Sequence, residues 1–232
     1  MKCEESNRCV ICQQCCAMEI PFIAGMPEEN KEALLRHSIH RNLEPGSIVF
    51  NEGESIDAIY IIIEGKVKLA SYDAEGYERI VSIFASGDTI WEGILTEGSA
   101  FPYSCVCITP ARVCVLEKEG LVAALNDAAT ALRVIALLSR KLHDANVRNM
   151  ILSTTDPKQR IAAFLKYRNE RDREETINLK LDDIAGSLHL RPETVSRKLR
   201  ELIDDGLIER SGRSSIRILD FEGLEELGQV NG

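Results

Sequence analysis

No apolar run in this 232-residue chain approaches the roughly 18 residues that a membrane-spanning helix needs. Its opening segment, MKCEESNRCVICQQCC, carries acids and cysteines where a secretory leader would carry an apolar stretch. Aromatics are scarce, at 5% with a single Trp, and there are only four histidines. His37, His40, His143 and His189 are scattered and build no haem-binding pattern. Nor does a nucleophile–base signature or a phosphate-binding glycine loop stand out. These absences weigh against membrane, secreted and enzymatic classes, and a cytoplasmic, non-enzymatic protein is expected.

Apolar residues make up 44% of the chain, enough for real cores in one large or two modest domains. The net charge of −9 argues against nucleic-acid binding only until its distribution is examined. From Pro157 onward there are 14 Lys+Arg against 15 Asp+Glu, a net of −1, so the acidity belongs to the preceding part at −8.

Eight cysteines in a protein with no export signal do not suggest a disulfide framework, because the cytosol keeps thiols reduced. Five crowd the N-terminus, at Cys3, Cys9, Cys12, Cys15 and Cys16, and that clustering asks for a metal or redox role. Three chemistries suit it: an iron–sulfur cluster, a tetrahedral zinc site and a thiol–disulfide switch. Cys9-x2-Cys12 has the spacing at which two thiolates can ligate neighbouring irons of one cubane. Cys105 and Cys107 share one face of a strand by period two and read as packing residues.

Along the chain, residues 28–39 read as a short helix. From Leu43 the period changes to two, and residues 47–50, 58–63, 66–69, 79–84, 104–108 and 112–116 read as strands between glycine turns. Short strands at this spacing make a sandwich or jelly-roll barrel. From about Leu121 the pattern is helical for some thirty residues. Ile135, Leu138, Leu142, Ala145, Asn149 and Leu152 are spaced 3, 4, 3, 4, 3, a coiled-coil seam suited to homodimerisation. Asp156-Pro157 ends that helix.

Residues 179–209 then read as helix, turn, helix. Asp182 can cap the first helix, His189-Leu190 makes the turn, and Pro192 suits the first turn of the second helix. Val195, Leu199 and Leu202 fall on its inner face, while Glu193, Ser196, Arg197 and Arg200 fall outside, with Thr194 among them. Polar residues early on the exposed face are what a major-groove reader needs. Arg197 can donate twice to guanine, Glu193 can accept from cytosine, and Ser196 can meet a base edge. Arg191, Lys198 and Arg200 are placed for phosphates, and a hairpin through Ser211-Gly212-Arg213 forms a wing that offers Arg210, Arg213 and Arg217. Double-stranded DNA is therefore the expected partner.

Taken together, these segments resemble the Crp/Fnr superfamily of transcription regulators over nearly the whole chain. Glu193, Ser196 and Arg197 match the E-x-x-S-R signature of its FNR-type oxygen sensors. The resemblance implies an α+β fold with a cyclic-nucleotide-binding-like jelly-roll, a long dimerisation helix and a C-terminal winged helix-turn-helix. The boundaries would be 1–22 for the cysteine segment, 23–120 for the barrel, 121–155 for the helix and 156–232 for the DNA-binding domain. It also implies an inverted repeat of TTGAT-like half-sites, RNA polymerase as a partner with Asp73 to Tyr77 as a contact turn, and a [4Fe-4S] cluster. Cys9, Cys12, Cys16 and Cys114 would be the ligands, with Cys15 and Cys3 as alternates. In FNR-type sensors a cysteine precedes Ile-Pro-Phe, whereas Glu19 precedes Ile20-Pro21-Phe22 here. Residues 101–105 lack the arginine that holds a cyclic phosphate, so no cyclic nucleotide is expected. The competing readings are the same fold with a zinc or thiol switch, and a redox or electron-transfer subunit carrying a winged helix.

Overall fold

The computed structural model describes residues 21–35, 38–91, 93–125, 127–172 and 175–228. The chain divides into two compact units, one formed by Met1–Ser71 with Val81–Arg140 and the other by Tyr72–Ile80 with Lys141–Gly232. No single helix among the described residues is long and apolar enough to cross a membrane.

In the first unit, helices α1 (Pro21–Ala24) and α2 (Glu28–Leu35) precede strands β1 (Ile39–Leu43), β2 (Ile48–Phe50), β3 (Ala58–Glu64), β4 (Lys66–Tyr72), β5 (Glu78–Ala85), β6 (Thr89–Ile90), β7 (Ser104–Cys107) and β8 (Ala111–Glu117). The strands form two four-stranded sheets, ordered β1-β8-β3-β6 and β2-β7-β4-β5. Ile59 and Ile61 of one sheet and Val67, Leu69 and Cys105 of the other belong to a single apolar core. The jelly-roll expected from short alternating strands is thus present. Two strands escaped the pattern. β1, Ile-His-Arg-Asn-Leu, has no clean alternation and is defined by pairing Ile39 with Val115 through Leu43 with Ala111, and β6 is two residues long. The helix expected over 28–39 is described over Glu28–Leu35, and Ile39 belongs to β1 instead.

Between β3 and β4 the chain reverses at Gly65, with φ +87°. A Cβ there would lie 2.2 Å from the Pro110 carbonyl oxygen and 2.8 Å from the Ala111 Cα, both backbone atoms that cannot swing aside. Gly65→Ala should therefore cost more than the ~1–2 kcal/mol of a left-handed L-residue. A fall in the midpoint of thermal unfolding checks this; an unchanged midpoint would contradict the close approach.

The helical stretch after the barrel is divided into α3 (Lys118–Ala124) and α4 (Ala128–Ser153). Asp127 starts the second helix. Its carboxylate accepts from the Thr130 backbone N–H at 2.8 Å and from the Thr130 hydroxyl at 2.7 Å. Those two hydrogen bonds hold the Asp127 carboxyl below its ordinary pKa. Along the N-terminal half of α4, Thr130 and Val134 are buried, Val134 within the barrel core. The helix also exposes Leu132, Ile135, Leu138 and Leu142.

The second unit holds α5 (Pro157–Asp172), β9 (Ile177–Asn178), α6 (Leu181–Leu188), α7 (Pro192–Asp204), β10 (Ile208–Ser211), β11 (Ser215–Ile218) and α8 (Phe221–Gly228). Strands β10, β11 and β9 make a small antiparallel sheet in that order. On α5 the buried set includes Ile161, Phe164 and Leu165, the spacing that marked it as a scaffold helix. Arg168 and Asp172, one turn apart on α5, form an ion pair that is almost wholly buried.

Candidate nucleic-acid interface

Helix α6 ends in a left-handed residue, His189, at φ 53° and ψ 41°. The Leu190 N–H returns to the Ala185 carbonyl at 3.0 Å and the His189 N–H to Gly186 at 3.4 Å, so two end carbonyls are satisfied as the chain turns. Partial burial, and then the charges of Arg79 and Arg160, push the His189 pKa down. Arg160 secures the turn from α5. Its guanidinium donates to the Thr154 carbonyl at 2.7 Å and to the Leu188 carbonyl at 3.1 Å. Neither tie has a sequence signature, since the acceptors are backbone atoms brought together by the fold.

The start of α6 differs from the sequence reading. Lys180 occupies the cap position without a side-chain cap, and Asp182 sits inside the first turn instead. There its carboxylate favours the helix dipole.

Pro192 opens α7 as expected, where its missing N–H costs nothing. Val195, Leu199 and Leu202 are buried at 0–1% exposure, sealing the inner face. Glu193, Arg197 and Arg200 follow one another at i, i+4 and i+7 and are exposed, with Thr194 and Ser196 half-buried beside them. Among the described residues no hydrogen bond or ion pair occupies the side chains of Glu193, Ser196, Arg197 or Arg200. Arg191, also exposed, lies over the Tyr77 ring at 5.7 Å. Lys198 is different: its ammonium meets both carboxylate oxygens of Glu201, at 2.8 and 2.9 Å.

In the wing, the expected trio of arginines separates. Arg217 lies opposite Glu209 across β10–β11 and donates to its carboxylate at 2.7 Å. Arg210 donates to the Arg213 carbonyl and so shapes the turn around Gly212. Arg213 is left exposed at the tip. The register of a hairpin decides such pairings, and register was not readable from the sequence.

Chemically, the surface can do one thing well. It offers a carboxylate, a hydroxyl and a guanidinium to base edges in a groove the width of a helix, with further cations beside them for phosphates.

The other singled-out residues fall in the first unit or on α4. Cys105, Cys107 and Cys114 are buried, and no disulfide joins them. Cys105 and Cys107 pack in the barrel core, and burial raises the Cys107 pKa, as suits inert packing thiols. Cys114 lies on β8 between His40 of β1 and Ile61 of β3, three residues before the strand ends in α3. It shares its apolar core with Ile23 and Met26, so the start of the described chain is anchored in that cluster. The remaining candidate ligands, Cys3, Cys9, Cys12, Cys15 and Cys16, lie outside the described residues. On α4, Ile135, Leu138 and Leu142 are 61%, 42% and 64% exposed, Asn149 is exposed, and Ala145 and Leu152 are half-buried.

Comparison with known proteins agrees with this architecture. The cyclic nucleotide-binding domain family matches residues 40–128, and the Crp-like helix-turn-helix domain family matches residues 159–227. An anaerobic regulatory protein of Haemophilus influenzae is 27% identical over 98% of this chain and 91% of its own length. A cyclic AMP receptor protein of Thermus thermophilus is 24% identical over 89% of this chain and 96% of its own. Among solved structures, FixK2 from Bradyrhizobium japonicum superposes with a TM-score of 0.75 at 23% identity, over 84% of this chain and 99% of that one.

Proposed function

The chain is a DNA-binding transcription regulator of the Crp/Fnr family, and we propose that it reads TTGAT-like inverted repeats as a homodimer under the control of an oxygen- or nitric oxide-sensitive [4Fe-4S] cluster. One observation carries the DNA reading: α7 exposes Glu193 and Arg197, with Ser196 half-buried beside them, over a sealed inner face. Arg197 reads guanine, Glu193 reads cytosine, and Ser196 with Thr194 completes the groove contacts. Arg191, Arg200 and Arg213 meet phosphate. Lys198 joins them only by giving up Glu201, so its share is small.

The dimer reading rests on α4. Leu132, Ile135, Leu138 and Leu142 leave a file of large apolar side chains in water, which a monomer has no reason to keep. Ala145, Asn149 and Leu152 extend the same file, with Asn149 as the polar residue that would fix register.

Cys114 fits a cluster ligand. Its thiol is a soft donor in an apolar setting, on the strand that leads into α3. Cys9, Cys12 and Cys16, with Cys15 and Cys3 as alternates, precede in sequence the helix that buries Ile23 in the same core as Cys114. When bound, the cluster supplies a tie between the two segments that oxygen or nitric oxide breaks. Tied at Cys114, the barrel is braced beside the helices that lead to the seam of Leu138 and Leu142. A ligand shifts such an equilibrium only by binding one state better, so the braced barrel must be the dimer-competent form. The anaerobic role named for the Haemophilus relative suits this signal.

A cyclic nucleotide is not proposed as the effector. Residues 101–105 offer a buried phosphate no arginine, and Phe101 is stacked on Phe50 at 3.7 Å between ring centroids.

Iron and acid-labile sulfide should be measured on protein purified without oxygen. Wild type is expected to be brown and to bleach in air. Cys9→Ala, Cys12→Ala, Cys16→Ala and Cys114→Ala should each lose iron, whereas Cys3→Ala and Cys15→Ala should keep it. Colourless anaerobic protein containing zinc and no iron would overturn the cluster.

A further inference from the structure

Between Lys158 and Arg217, internal partners account for most of the described cations. Lys158 pairs with Asp205, Lys166 with Glu225, Arg168 with Asp172, Lys198 with Glu201 and Arg217 with Glu209. Arg160, Arg171 and Arg210 donate to neutral oxygens of the fold. Among the described residues, the cations of this segment with neither an ion pair nor a hydrogen bond are Lys180, Arg191, Arg197, Arg200 and Arg213. Four of these are already assigned to DNA. Lys180 is the one left over.

Its position gives it a use. The Leu179 N–H donates to the Ser214 carbonyl at 2.8 Å, and Asn178 pairs with Ser215. Lys180 is therefore held one residue from the seam that joins β9 to the wing, beside the turn that carries Arg213. It is exposed, and it stands immediately before Leu181, the first residue of the helix that precedes the recognition helix. In a helix-turn-helix complex that first helix crosses the DNA backbone while the second enters the groove. Asp182, exposed two residues on, is the nearest acid in sequence. A cation before it offsets the repulsion that this carboxylate would present to phosphate.

We infer that Lys180 is a phosphate-binding residue which, with Arg213 of the wing, grips the DNA backbone outside the groove. The inference rests on the DNA-binding reading above. Four phosphate contacts per protomer then come from Lys180, Arg191, Arg200 and Arg213, with Arg197 left to read a base. Each neutralised phosphate contributes about −0.9 to the slope of log affinity against log salt, so the dimer should show a slope of about −7. Affinity should fall about ten-thousandfold between about 50 and 200 mM salt.

The test is that slope, measured with the full-length dimer on a TTGAT inverted-repeat duplex and on a scrambled duplex. Lys180→Gln should flatten the slope by about 2 per dimer on both duplexes and leave their affinity ratio unchanged. Lys180→Arg should restore the wild-type slope, and Lys158→Gln, which loses a cation tied to Asp205, should not alter it. A thermal melt matching wild type separates lost contact from lost folding. A wild-type slope in Lys180→Gln overturns the inference, as does a Lys180→Arg protein that stays flattened. Failure of wild type to prefer the repeat would strike the parent reading instead, so the two failures are distinguishable.

Discussion

Arg197→Ala is expected to abolish preference for the repeat while leaving weak, salt-sensitive binding to any DNA. A bidentate arginine–guanine contact discriminates by ~1–3 kcal/mol, and a two-fold dimer makes it twice. The loss on the target duplex is thus ~2–6 kcal/mol, or roughly thirtyfold to more than ten-thousandfold at 1.4 kcal/mol per decade. The folded protein should not notice. Arg197 is exposed and engages no other described residue, so nothing buried is left unpaired when it goes. Gel-shift or anisotropy titrations on target and scrambled duplexes provide the readout. Equal losses on both would make Arg197 a phosphate contact and move base reading elsewhere on α7.

Replacing Leu138 and Leu142 together by Glu should convert the protein to a monomer. Both side chains are already solvent-exposed in the chain by itself, at 42% and 64%, so the protomer loses little by carrying charge there. In the proposed dimer the same positions would be buried. Each leucine forfeits ~1.5–3 kcal/mol of burial, four side chains are involved, and the new carboxylates repel across the two-fold axis. Weakening of at least about a hundredfold, ~3 kcal/mol, follows even if half the burial is recovered. Sedimentation at micromolar protein checks it. A persistent dimer would show that the file on α4 is not the seam. Far-UV circular dichroism should match wild type, and DNA affinity should drop because one recognition helix then binds alone.

What was legible in the sequence, and what was not, follows from how each feature is encoded. Helix α7 could be read because Val195, Leu199 and Leu202 recur at helical spacing and Pro192 marks its start. The α4 file could be read for the same reason. Strands β6 and β9 could not, because two residues are too few to display a period, and β1 could not because Ile-His-Arg-Asn-Leu does not alternate. The break between α3 and α4 hides in one Asp127–Thr130 capping interaction inside an otherwise helical pattern. Tertiary neighbours decided which cations remain available. Lys198 and Arg200 are both basic residues on α7, yet Glu201 holds the first and no described residue holds the second. Lys180 was overlooked for a related reason: only the pairing of β9 with the wing, through Asn178–Ser215 and the Leu179–Ser214 hydrogen bond, shows that it stands beside the wing. The cysteines divide along the same line. Packing was readable for Cys105 and Cys107 from strand period, whereas a role for Cys114 depends on Cys9, Cys12 and Cys16, which lie outside the described residues.

The most direct test is the ratio of affinities of anaerobically purified full-length protein for two duplexes in the same salt, one carrying the TTGAT inverted repeat and one with the same bases scrambled. A groove-reading dimer with Glu193, Ser196 and Arg197 at base edges predicts a ratio of at least about a thousand. Equal affinity for the two duplexes would contradict it.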